Sequence, residues 1–164
     1  MTRYCFVKVL LEGSETDKVL LLLSKLANQD YRKPINPVGL LSPEQEAEFS
    51  NVIVIWRINS FTYFTDTNPN TDTLIKLAKK YNLFFQCQYE NIAGLRVGMC
   101  HYDSDTEDFG LVDCAESDFK GWTYKGGYYT YEGKVYESRF HLRNYVIQRK
   151  ERDQKLQKIL NLID

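Results

Sequence analysis

Apolar and polar residues alternate from Tyr4 to Leu11, and a period of two predicts a strand with one buried face. The period then lengthens. From Glu15 to Ala27, Val19, Leu22, Leu23 and Leu26 fall on one helical face, and Leu20 and Leu21 widen it. Ser14 and Asp17 supply a helix start. The same order returns further on. Asn51 to Ile55 and Phe61 to Thr65 read as strands joined around Ile58-Asn59-Ser60. Thr71 to Tyr81 reads as a helix, with Leu74, Leu77, Ala78 and Tyr81 as its stripe, Lys76, Lys79 and Lys80 off it, and Asn82 as its stop. Leu83 to Tyr89 and Leu95 to His101 read as two more strands, with a turn near Asn91 to Gly94. Between the copies, Pro34, Pro37 and Gly39 punctuate a loop from Asn28 to Gly39. Ser42-Pro43-Glu44 then opens a short helix to about Phe49. Strand–helix–strand twice over predicts an α+β fold: a ferredoxin-like antiparallel sheet with two helices on one face, over residues 1–102.

Beyond residue 102 the pattern changes three times. Asp103 to Asp118 carries Asp103, Asp105, Glu107, Asp108, Asp113, Glu116 and Asp118 with no Lys or Arg, and predicts a solvated acidic loop. Trp122 to Phe140 is dense in Tyr, and the turn signals Lys125-Gly126-Gly127 and Glu132-Gly133 predict a three-stranded β-ribbon. Leu142 to Ile163 predicts a long helix, apolar at Leu142, Tyr145, Val146, Leu156, Ile159, Leu160 and Ile163 and interrupted by Arg149, Lys150 and Arg152. Residues 103–164 are thus expected to pack on the first unit and complete one globular body.

The 164 residues suffice for one domain with a real core. A formal net charge of −1 gives no global case for nucleic acid or an acidic membrane. Lys8 interrupts the first apolar run and no small-residue cleavage site follows it. Val19 to Leu23 is too short to span a bilayer, so a cytoplasmic address without membrane insertion is expected. Cys5, Cys87, Cys100 and Cys114 form no C-x-x-C pair; the first three read as small apolar strand residues.

Particular residues carry a family resemblance. They are the opening strand Tyr4-Cys5-Phe6-Val7-Lys8-Val9 with Leu11-Glu12-Gly13, Trp56 in a strand, and the run Phe64-Thr65-Asp66-Thr67-Asn68-Pro69. Leu74, Leu77 and Tyr81 follow, then Tyr89-Glu90, and Gly94 and Gly98 ahead of Tyr102. Over about residues 4–102 the chain resembles a family of phage and conjugative-plasmid proteins of unknown function, whose common part is the ferredoxin-like domain of Api-type phage proteins. Arg3-Tyr4 stands where that family opens with Asn-Trp, and Trp56-Arg57-Ile58-Asn59 stands in place of its Trp-Gly-Thr-Lys-Trp run. The resemblance implies a ferredoxin-like fold, a mobile-element setting, and a role as an accessory or anti-defence factor. It transfers no catalytic residue.

Chemistry is sparse. His101 and His141 are the only histidines, and Cys100 and His101 point to opposite sides of a strand, so no metal site and no cofactor are expected. The carboxylates of Asp103-Ser104-Asp105-Thr106-Glu107 are spaced like a calcium loop, but Asp108 and Cys114 stand where that loop needs Gly and a bidentate Glu. No nucleophile elbow or phosphate loop is present, so the chain is not expected to be an enzyme. What remains is surface. The first expectation is a non-enzymatic protein that binds a host protein or other macromolecule through Tyr124, Tyr128, Tyr129, Tyr131, Arg149, Lys150 and Arg152, with homodimerisation through the last helix as a further option. The alternative is a single-stranded nucleic-acid module, with Phe6, Phe84 and Arg96 on an open sheet face and the basic helix beside it. Against this alternative stands burial of that face by the ribbon and last helix, the favoured expectation for the sheet.

Overall fold

A computed structural model describes residues 5–27, 40–65, 69–91, 96–119, 121–126, 128–136 and 139–163. The side chains of 116, 124, 125 and 139–142, and the predicted loop 28–39, lie outside that description. The chain runs β1 (Cys5–Glu12), α1 (Thr16–Ala27), α2 (Pro43–Glu48), β2 (Ile53–Ile55), β3 (Ser60–Thr65), α3 (Thr71–Tyr81), β4 (Phe84–Asn91), β5 (Arg96–Asp103) and β6 (Asp108–Cys114). A ribbon of β7 (Thr123–Lys125), β8 (Tyr128–Tyr131) and β9 (Lys134–Tyr136) follows, then α4 (Arg139–Ile163). The result is α+β, with a six-stranded sheet ordered β2-β3-β1-β4-β5-β6 and a separate three-stranded one. All pairings are antiparallel.

Period-two alternation sets the two faces. On β1, Cys5, Val7, Val9 and Leu11 are buried, while Leu10 and Glu12 are exposed. Register carries that inner face across: Val7 lies opposite Tyr63 and Tyr89, and Val9 opposite Phe61 and Cys87. Val19, Leu20, Leu23 and Leu26 of α1, Leu74, Leu77 and Ala78 of α3, and Phe49 after α2 close over it in one cluster. α2 is pinned by a capping box in which Gln45 N–H donates to Ser42 Oγ at 3.2 Å and Ser42 N–H to Gln45 Oε1 at 3.0 Å. Asn59 and Asn82, both left-handed, end the Trp56–Ile58 3₁₀ turn and α3.

The outer face is shared unequally. Val97, Val112 and Cys114 are buried with Phe119, Tyr131, Val146 and Ile147, so ribbon and α4 cover β5 and β6. They do not reach β2 and β3, where Ile53 is 64% and Phe64 47% exposed. The expected burial of this face therefore holds over one edge of the sheet only. The acidic stretch also differs from expectation. Residues 104–107 are a turn, but Asp108–Cys114 is the sixth strand, paired with β5 from Asp103↔Asp108 to Val97↔Cys114. The backbone of β5 offered an unpaired edge, and β6 satisfies it despite its acidic composition.

Candidate functional site

The predicted contact residues meet where α4 crosses the ribbon, but they mostly face one another. A cleft of about 340 Å³ is lined by Asp118, Tyr131, Glu132, Arg149, Lys150 and Asp153, among others. Lys150 Nζ donates to Asp118 Oδ2 at 2.8 Å, and Tyr131 Oη donates to the Asp118 carbonyl at 2.9 Å. Arg149 Nη1 donates to Tyr131 Oη at 3.1 Å and is also bonded to Glu132. Burial alone would push the Lys150 ammonium down, but the Asp118 carboxylate more than offsets it and holds the value above that of an ordinary lysine. Burial pushes the Tyr131 hydroxyl up, so it stays protonated and keeps donating. Tyr129 stacks on Trp122 at 5.3 Å and 11°. Both cations of the cleft already serve carboxylates, so an incoming anion would have to displace them.

The expected contact set therefore separates. Tyr131 and Arg149 fasten α4 to the ribbon, Lys150 ties it to Asp118 in the turn before the ribbon, and Tyr129 stacks on Trp122. Tyr128 is half-exposed, and Arg152 is exposed with Asp153 as its partner at 3.8 Å. Tyr124 lies on β7 opposite Tyr129, and its side chain is outside the described set.

The expected aromatic and basic platform needs a correction. Phe6 and Phe84 do share the outer face, through Phe6↔Glu90 and the parity of β4. Arg96 does not. It lies opposite Asn91, in the same parity as Cys100, which opposes Cys87 of the inner face. There it grips Asp113 with Nε and Nη2, each at 3.0 Å, while Tyr89 Oη donates to the same carboxylate. The parity with which β5 follows β4 decides this, and Arg96-Val97-Gly98-Met99 carries no alternation that reveals it; the turn expected near Asn91 to Gly94 falls on residues 92–95, outside the described residues.

Sequence reasoning missed the surface that is open. On the outer side of β1, β2 and β3, Phe6 and Phe64 pair with ring centroids 5.3 Å apart. Leu10, Ile53, Ile55 and Phe64 are 37–64% exposed, and Trp56 and Ile58 at the adjoining turn are 48% and 47% exposed. The signal was Ile53-Val54-Ile55, apolar at every position of a strand that can bury only one side. His101 sits on β5 with Nε2 3.3 Å from Asp108 Oδ2 and Phe84 stacked beside it. The His141 side chain lies outside the described set. Among the described residues no group of three His, Cys, Asp or Glu side chains is placed to hold a metal ion, and no helix is long and apolar enough to cross a membrane. No family model, curated protein or solved structure matches the chain.

Proposed function

We propose that this chain is a non-catalytic binding protein whose docking surface is the open half of its sheet. One observation carries the reading: Leu10, Ile53, Ile55 and Phe64 on the outer side of β1–β3, with Trp56 at the adjoining turn, cluster as an exposed apolar patch. Scattered exposed apolar residues are ordinary, but a clustered patch marks an interface. The strand order β4-β1-β3-β2, connected by α1 and α3, supports reading residues 5–91 as a ferredoxin-like unit extended by β5 and β6. The resemblance of residues 4–102 supplies the setting: a cytoplasmic phage or plasmid accessory protein acting on a host protein, in the manner of an anti-defence factor.

The chemistry of the patch favours protein over nucleic acid. Single strands need a groove of cations beside their stacking rings. Here Phe6 and Phe84 have Lys8 near them, but Gln86, Gln88, Glu12 and Glu90 are their other neighbours on β1 and β4, Arg143 is held by Glu90, and Arg96 is behind the sheet. The test is retention of host proteins by the whole chain and by two variants, I53T/F64T and Y128S/R152A. Loss of a retained protein with the first variant alone supports the sheet surface. Loss with the second alone moves the site to the ribbon. Binding of a labelled oligonucleotide that falls steeply with salt would replace this reading with the nucleic-acid one.

A further inference from the structure

The main sheet ends at β6. Among the described residues β6 pairs with β5 and with no other strand. Among the described residues no backbone hydrogen bond outside the β5 ladder involves residues 108–114. A seven-residue edge strand of this kind presents a row of outward N–H and C=O groups. Natural edges of this length are usually blunted by Pro, Lys, a bulge or an inward charge; Asp108–Cys114 contains no Pro or Lys, and its one inward charge, Asp113, is taken up by Arg96. Its two sides are furnished differently. On the inner side Phe109 and Leu111 are 42% and 45% exposed. On the outer side a pocket of about 210 Å³ lies between β5–β6 and α4, floored by Met99, Val112 and the His101 ring that covers Gly110, with Glu151, Gln154, Lys155 and Lys158 of α4 on its other side. The turn leading into the strand carries Asp103, Asp105, Glu107 and Asp108.

We infer that β6 is a strand-addition site for an extended segment of a partner polypeptide bearing Lys or Arg near one end. Main-chain bonds to the free edge supply affinity, and alternate side chains supply specificity. One apolar side chain of the segment enters the pocket beneath α4. Its neighbours on the other side rest on Phe109 and Leu111. Its cation lies against the acidic turn. Charge decides between this occupant and a second copy of the chain. Antiparallel pairing of two β6 strands would leave Asp108 and Asp113 on opposite faces and bring the acidic turn of one copy toward residues 115–118 of the other, which hold no Lys or Arg. A basic segment meets the opposite sign. This surface is separate from the Phe64 patch, so the two readings stand or fall independently.

The probe is a pool of synthetic octapeptides with Lys or Arg at one end and Val, Ile, Leu or Phe at alternate positions, passed over the immobilised full chain. Members should be retained, and the best of them, titrated into isotope-labelled protein, should shift the amides of residues 108–114. N-methylation at alternate residues, in the phase facing the edge, should weaken binding at least tenfold. So should D105K/E107K, whose residues are exposed. Equal binding of methylated and unmethylated peptides, shifts elsewhere, or no retention at millimolar peptide in low salt would overturn the inference. Self-association of the chain that F109K abolishes would overturn it too, in favour of edge-to-edge pairing between copies.

Discussion

Tyr89 can hold its place only because residue 98 has no side chain. A Cβ at Gly98 would lie 2.1 Å from Tyr89 Cζ and 2.2 Å from its hydroxyl oxygen. The ring lies across that gap and delivers its hydroxyl to Asp113, which Arg96 holds from the other side. Gly98→Ala must push the ring away and break the bond, at an expected cost of about 1–3 kcal/mol in urea unfolding. Tyr89→Phe keeps the ring and removes the hydroxyl, at about 1 kcal/mol. Because both changes act on one network, the double variant should cost less than their sum; strict additivity would show that they are not coupled. Asp113 adds a pH dependence. Burial by itself would raise its carboxyl, but the Arg96 fork and the Tyr89 hydroxyl outweigh that and hold it below the ordinary 3.8. A group whose folded value is depressed contributes stability above its unfolded value and loses it as pH falls through the folded one. The stability difference between the native chain and Asp113→Asn is therefore expected to be largest near neutrality and to close below about pH 3.8. Urea midpoints at pH 7 and in acid read that difference directly.

At the scale of elements, α4 is two things joined end to end. It runs 25 residues, with Val146 and Ile147 buried against β6 and the ribbon, yet every residue from Arg152 to Ile163 is exposed. Ending the chain after Asp153 should therefore change stability by less than about 1 kcal/mol. Val146→Ala, which empties two buried methyl groups, should cost about 2 kcal/mol. Comparable losses from both would mean that the distal turns pack against something in solution. The distinction was only half visible in the chain. Apolar positions at both ends of α4 read alike in sequence, and only the sheet beneath decides which end is covered. Other elements were legible for clear reasons. Thr71–Tyr81 came out residue for residue because its stripe is narrow and Asn82 supplies a left-handed stop. The three-stranded ribbon was announced by its glycine turns. β6 was not legible. Gly110 and Val112 on one side and Phe109 and Leu111 on the other give no contrast between faces, and its carboxylates read as loop. The candidate site suffered in the same way. The Tyr count along 122–140 was evident, but Tyr129 stacking inward on Trp122 and Tyr131 bonding to the Asp118 carbonyl are set by tertiary contacts.

Over the whole molecule, segregation of charge along the chain becomes attachment in space. The acidic stretch and the basic helix neutralise each other where they meet, through Asp118–Lys150 at 2.8 Å, and Arg143 reaches Glu90 of β4 at 3.0 Å. That contact spends the basic face of α4 on holding the second layer in place. It also fixes how far the layer extends, for α4 lies over β5 and β6 and leaves β2, β3 and β1 with an uncovered outer side. Stability and binding thus make opposite demands on the open strands. Side chains retained there for packing would lower stability when made polar, whereas side chains retained for a partner would not. In I53T/F64T both positions stay β-branched or strand-compatible, and neither is buried in the native chain. The unfolding free energy is expected to move by no more than about 0.5 kcal/mol per site. Solubility should rise, and fluorescence of a dye that binds exposed apolar surface should fall. A loss well beyond that size, with dye binding unchanged, would show that the patch is already covered in solution, and the docking surface would then have to be sought on the β6 edge instead.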